Sequence, residues 1–389
     1  MIQLILTASL LLSAPAASRG PFSFPRDHGS HADAAIEWWY YTGHLTDERK
    51  REYGFQVTFF RLRDLDLAHF AWTDVAAKTF RYEEKSHLAL PGIAETAEDR
   101  LAVTNEDWSA EAGPDGTHHL KARGRDWELD LNLKPSKPPV GNGPGGISRK
   151  GPGENEYSHY VSITRLESRG RFRDRGSAGS LSGAAWFDHE WGPGALPKEA
   201  VGWDWFALQL SDSTELMLYR MRDRSGHATP FSAGTYVDER GTGEPVAWKD
   251  VALTELARWK SPKTGASYPA RWQIAVASAG LDVTIEPLVA DQELVTEQST
   301  GVIYWEGTCK VDGSRNGRPV GGRAYVELTG YARRDVPGFA DKDEEVGGSR
   351  LGLEPWPDLE QLRLDPEFEV EEITKEQFQA VWERRKCDD

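Results

Sequence analysis

The sequence predicts an all-β protein of two halves in tandem, followed by a short C-terminal helix. Three observations lead there. Aromatic and β-branched runs separated by polar turns recur along most of the 389 residues. One hairpin pattern occurs twice. The segment after Asp341 changes character, becoming acidic and carrying a helix-start signal.

The chain opens on an apolar run, Ile2 to Leu12, followed by Ser13-Ala14-Pro15-Ala16-Ala17. This reads as a signal peptide over residues 1–17, cleaved near Ala16 or Ala17, although no Lys or Arg precedes the run; the alternative reading is an uncleaved N-terminal anchor. No Cys stands near the cleavage site to carry a lipid, and no later stretch approaches the length of a membrane span. The expected location is periplasmic or secreted.

The first hairpin follows. Glu37-Trp38-Trp39-Tyr40-Tyr41-Thr42-Gly43-His44-Leu45 is a β-favouring run, Thr46 to Lys50 a polar turn, and Tyr53 to Phe60 the return strand. Trp203 to Leu210 and Glu215 to Arg222 repeat the pattern around Ser211-Asp212-Ser213. Trp38, Tyr40, Tyr41 and Leu45 match Trp203, Trp205, Phe206 and Leu210 at one offset. Phe60-Arg61-Leu62-Arg63-Asp64 then matches Tyr219-Arg220-Met221-Arg222-Asp223. A duplicated β unit gives each half its own sheet and core. The halves are expected over residues 21–195 and 200–335, with an acidic tail over 341–389.

Pro135 to Gly153 is a Pro/Gly-rich loop. Gly141 to Gly146 matches GxGxxG, but Pro144 and Pro152 deny it the helix that a dinucleotide fingerprint must open. It reads as a surface loop that covers a pocket. In the tail, Thr374-Lys375-Glu376-Gln377 fits a capping box, with Phe378, Val381 and Trp382 on one face of the helix that follows.

Composition narrows the function. A net charge of −16 argues against nucleic acid, whose phosphates need a basic face, and against docking on anionic lipid. Fifteen Trp supply material for an apolar pocket. Cys309 and Cys387 are the whole thiol content; they could pair in an oxidising compartment, and no CxxC offers a zinc or redox site. GxSxG, HExxH, Walker A and EF-hand patterns are absent, and the ten His show no paired ligand spacing. No cofactor and no metal are expected. Any catalysis would rest on acid–base groups.

The densest cluster of such groups is Trp186-Phe187-Asp188-His189-Glu190-Trp191, with Gly202-Trp203-Asp204-Trp205 close behind. Apolar walls raise a carboxyl pKa, and an acid kept protonated near neutrality can donate a proton. The same residues could equally be a turn cap, a hydrogen-bonded His and ordinary core Trp. Glu37 is a second candidate acid, or a partner for a nearby Arg. His69, in Ala68-His69-Phe70-Ala71-Trp72, should face away from Phe70 by strand alternation. Tyr304-Trp305-Glu306-Gly307 reads as scaffold.

These motifs, in this order, resemble the signatures of the family of carotenoid 1,2-hydratases and AttH-type proteins. The resemblance rests on Glu37 to Leu45, Phe55 to Arg61, Ala68 to Ala71, Gly183 to Gly192, Gly202 to Leu210, Asp291 to Leu294 and Tyr325 to Tyr331, and spans about Pro21 to Arg334. It implies two lipocalin-like β-barrel or β-sandwich domains and a pocket for an apolar terpenoid, polyketide or lipid. It further implies a cofactor-free hydratase, a hydro-lyase adding water to a C=C bond, in preference to a hydrolase. The alternative is a non-catalytic lipid carrier serving an ABC-type exporter. The expected site has Asp188, His189 and Asp204 as catalytic groups. Glu37, Trp38, Trp39, Tyr40, Tyr41, His69, Trp186, Glu190 and Trp191 are expected to border a pocket of the first half.

Overall fold

The run from Glu37 to Leu45 shows how the sequence builds the fold. Side chains of a strand alternate between faces. Trp39, Tyr41 and Leu45 enter the core of the first half, while Trp38 and Tyr40 pack in a separate cluster shared with the second half. The second half repeats this: Phe206, Leu208 and Leu210 join its own core, and Trp203 and Trp205 join the shared cluster. The structure, a computed structural model, describes residues 22–332 except 64, 175, 176, 195 and 196. The expected leader, the tail helix and Cys387 lie outside the described residues, and the pairing of Cys387 with Cys309 does too.

The described residues form two antiparallel sheets. The first runs, edge to edge, Thr79–Leu88, Leu65–Asp74, Glu52–Leu62, Ile36–Asp47, Ser177–Gly192, Tyr157–Asp174, Trp127–Pro135, His118–Arg123, Trp108–Ala112, Ala102–Asn105 and Ala94–Thr96. The short strands Val140–Gly141 and Ile147–Arg149 add to Tyr157–Asp174. The second runs Gly243–Ala247, Ala233–Val237, Glu215–Asp223, Ala200–Leu210, Arg318–Thr329, Ile303–Arg315, Leu281–Pro287, Ser267–Val276 and Val251–Lys260, with Glu293–Val295 beside Ile303–Arg315. In each sheet the first long strand of the half pairs with its last long strand, which curls the sheet around its core. The fold is all-β and lipocalin-like in both halves. Trp72, Trp108, Trp127, Phe55 and Phe70 fill the first core, and Trp272, Tyr268, Trp305, Phe206 and Cys309 the second.

Both expected hairpins form, but the register corrects their correspondence. Glu37 lies opposite Arg61 and Trp38 opposite Phe60; Asp204 lies opposite Arg220 and Trp205 opposite Tyr219. Trp38 therefore corresponds to Trp205, not to Trp203, which lies opposite Met221. The neighbouring strands agree. Trp38 sits beside Glu190, itself beside Tyr160; Trp205 sits beside Glu327, itself beside Glu306. Each half thus presents a Trp–Glu pair at the same place on its sheet.

Candidate active site

These two places face each other. Between them lies a cavity of about 140 Å³ whose walls come from both halves. Its aromatic lining includes Trp38, Tyr40, Trp191, Trp203, Trp205 and Tyr304. The pocket is therefore at the junction of the halves rather than inside the first one. The reason is alternation: the inward faces of both sheets are filled by large side chains, and the aromatic and acidic residues at alternate positions are left facing the partner sheet.

Four carboxyl groups line this cavity: Asp188 and Glu190 from the first half, Glu306 and Glu327 from the second. Asp188 is 3 % exposed. It accepts hydrogen bonds from Tyr160 Oη at 2.6 Å, Ser162 Oγ at 2.5 Å and Trp186 Nε1 at 2.6 Å. Those donors are themselves oriented, Ser162 by Asn142 Nδ2 at 2.8 Å and Tyr160 by Trp205 Nε1 at 3.0 Å. Burial outweighs the three donors and, with Glu190 nearby, pushes the Asp188 pKa up to about 7. Asp188 is thus a carboxylic acid close to half-protonated at neutrality, with a prearranged set of donors for its conjugate base.

Glu190 is the member with a cation beside it. Lys150 Nζ lies 2.8 Å from it, and Ser158 donates a further hydrogen bond. The Lys150 pKa rises, held up by Glu190 and Tyr219 against the burial that would lower it. On the opposite wall, Glu306 and Glu327 are cross-strand neighbours, and burial with mutual repulsion raises the pKa of Glu306 far above the ordinary carboxylate range. Burial and the nearby Glu190 and Asp188 likewise raise that of Glu327. Glu306 accepts a hydrogen bond from Tyr40 of the first half. His69 completes the wall, 2.7 Å from Tyr304 Oη and 2.8 Å from Ser299 Oγ; burial drives its pKa down to about 3, leaving it neutral.

The expected site residues divide along the strands. Asp188, Glu190, Trp38, Tyr40, Trp191 and His69 line the cavity. Trp39 and Tyr41 point into the first core. Trp186 stands behind the wall, its indole N–H on Asp188 and its ring edge-on to Trp205.

Glu37 and His189 belong to a separate buried cluster. Glu37 accepts from His31 Nδ1 at 2.7 Å, His189 Nε2 at 2.9 Å and Arg61 Nη2 at 2.9 Å. Despite burial, His189 and His31 draw the Glu37 pKa down to about 2. His31, Glu37 and His189 are the described residues grouped closely enough to suggest a metal. Both imidazole–carboxylate separations are hydrogen-bond distances, and Arg61 supplies the balancing charge, so the cluster reads as a saturated carboxylate.

Asp204 is the clearest correction. It follows Trp203 in the chain and so faces the opposite way, fully buried and bonded to Arg220 Nε at 2.7 Å, Arg222 Nε at 2.9 Å and Tyr331 Oη at 2.9 Å. It is the second-half counterpart of Glu37 and its Arg61, a pairing of carboxylate with arginine rather than an acid for a ligand. The reading of Tyr304 to Gly307 as scaffold also changes, since Tyr304 and Glu306 line the cavity. Sequence reasoning missed Lys150, Tyr160, Glu306 and Glu327. Glu327 was within reach of the duplication, because it holds in the second half the place of Glu190 in the first.

A model of the AttH-like family matches residues 15–331, and one of a domain of unknown function, DUF6881, matches 330–387. An AttH candidate from Nitrosomonas europaea shares 33% identity over 82% of this chain and 100% of its own, with a TM-score of 0.75. The crystal structure of kievitone hydratase from Nectria haematococca shares the fold at 16% identity, over 80% and 94% of the two chains, with a TM-score of 0.66. No curated protein matches the sequence. With a family match across most of its length, the chain belongs to the AttH-like family.

Proposed function

We propose that the protein is a cofactor-free hydratase that adds water to a C=C bond of an apolar small molecule held in the junction cavity. The observation that supports this best is Asp188, a buried carboxyl raised to about 7 at the edge of an aromatic cavity. The similarity in fold to kievitone hydratase is consistent with it. In this reading the alkene π pair takes the Asp188 proton, leaving a carbocation and the Asp188 carboxylate. A water oxygen then bonds to the cation, and its spare proton returns to Asp188, so the acid is regenerated. Tyr160, Ser162 and Trp186 hold the carboxylate between the two proton transfers.

The reading includes export to the periplasm or beyond, supported by the apolar run Ile2 to Leu12 and the small residues after it. N-terminal sequencing of the protein from the cell envelope tests it: a mature start after Ala16 or Ala17 is expected, and a start at Met1 contradicts it. The hydratase reading itself is tested by Asp188→Asn. Turnover should fall by about 10²–10⁴ while the ligand seen by native mass spectrometry stays bound. Bound ligand without turnover in the wild type would instead favour a carrier that delivers lipid to an exporter.

A further inference from the structure

The two Trp–Glu places that face each other across the cavity are not equally satisfied. Glu190 has an ammonium beside it. Lys150 Nζ lies 2.8 Å from its carboxylate, 4.5 Å from the centre of the Tyr219 ring and 5.4 Å from that of Tyr160. Its counterpart Glu327 accepts a hydrogen bond from the Trp203 side chain and lies beside Trp205 and Glu306 but has no such cation, and Lys150 is the only Lys or Arg among the described cavity-lining residues. A second observation points to a ligand. Gln56 is 1 % exposed, lines the same cavity, and its Oε1 has no hydrogen-bond partner. It stands on strand Glu52–Leu62, which packs against the strand Ile303–Arg315 that carries Glu306. An acceptor without a partner and two buried carboxyls, set among aromatic side chains, share one need, a positively charged donor.

We propose that the wall formed by Glu327, Glu306, Gln56, Trp203 and Trp205 is a site for an organic cation, an alkyl- or arylammonium ligand. The wall does for the ligand what the opposite wall does for Lys150. Burial holds Glu306 and Glu327 toward the neutral form, helped by Glu327 at the first and by Glu190 and Asp188 at the second. A bound cation reverses that balance, so binding releases protons. The groups facing the pair are Asp188, Glu190, Lys150, His69, Tyr40, Tyr157, Tyr160, Tyr219, Tyr304 and Tyr325, and Lys150 is already committed to Glu190. The proposal rests on this cavity being the ligand site but not on hydration. For a hydratase, the same wall would steady the carbocation formed by proton transfer.

The test compares n-octylammonium, n-octanol and n-octanoate binding to the full-length protein by isothermal titration calorimetry at neutral pH. Two buffers of different ionisation enthalpy report the protons exchanged. The expected order is ammonium over alcohol by about 10-fold, octanoate weakest, with net proton release for the ammonium alone. Glu327→Gln and Glu306→Gln should each remove most of the preference for ammonium over alcohol. Octanol binding as tightly as octylammonium, ammonium binding without proton release, or no binding of any of the three would overturn the proposal. The wild-type comparison decides even if a variant fails to fold. Failure of hydration would appear as missing turnover and leave this binding order intact.

Discussion

At the residue scale the account turns on which carboxyls are neutral and which are held as anions. Asp188 must be protonated to act, so turnover should decline as pH rises through about 7, the value at which it loses its proton. Its folded pKa is raised, so its contribution to stability is fullest at low pH and is lost as pH climbs from 3.8 through about 7. Asp188→Asn should flatten that part of the stability–pH curve, measured by urea unfolding at several pH values. A slope unchanged by the substitution would count against a neutral Asp188. Glu37 has the opposite sign: its folded pKa is lowered to about 2, so its contribution is present above 4.5 and disappears as pH falls through about 2. Glu37→Gln and Asp204→Asn each leave buried arginine charge underpaired, and each should cost about 3–5 kcal/mol in unfolding measurements without touching the cavity. An Asp204→Asn protein of normal stability but abolished turnover would restore Asp204 as a catalytic group.

At the scale of the strand, alternation explains both what the sequence disclosed and what it hid. The placement of His69 away from Phe70 follows from period two alone, and so does that of Asp204 away from Trp203. Glu306 and Glu327 could not be found that way. They come together because strands Ile303–Arg315 and Arg318–Thr329 pair in one register, and the turn that sets that register carries no information about the cavity at the other end. The loop 135–153 is a similar case. Its Pro and Gly content marked it as irregular surface, yet Lys150 leaves it to enter the junction. Lys150→Met should destabilise the protein by about 3 kcal/mol, because Glu190 is then buried without its cation. Glu190→Gln in the same protein should recover part of the loss, and a double-mutant cycle showing no coupling would contradict the pairing.

At the scale of the whole molecule, the two halves share one site and a set of buried polar links. Tyr40 bonds Glu306, His69 bonds Tyr304, Thr73 bonds Gln292, and Lys137 and Arg165 both bond Glu215. Separating the halves would strand each of these groups, so unfolding in urea should be a single transition, with Trp fluorescence and circular dichroism coinciding. Two resolved transitions would contradict a shared interior. The duplication was legible because strands repeat their composition; the cavity was not, because it exists only when the two copies meet face to face. The central claim, that this shared cavity hydrates an alkene through Asp188, is met most directly by an assay that presumes no substrate. The wild-type and Asp188→Asn proteins are incubated with a mixed terpenoid, polyketide and lipid extract in heavy-oxygen water and compared by mass spectrometry. Compounds that gain one labelled water are expected with the wild type and not with Asp188→Asn. The same labelled compounds from both proteins, or none from either, would contradict it.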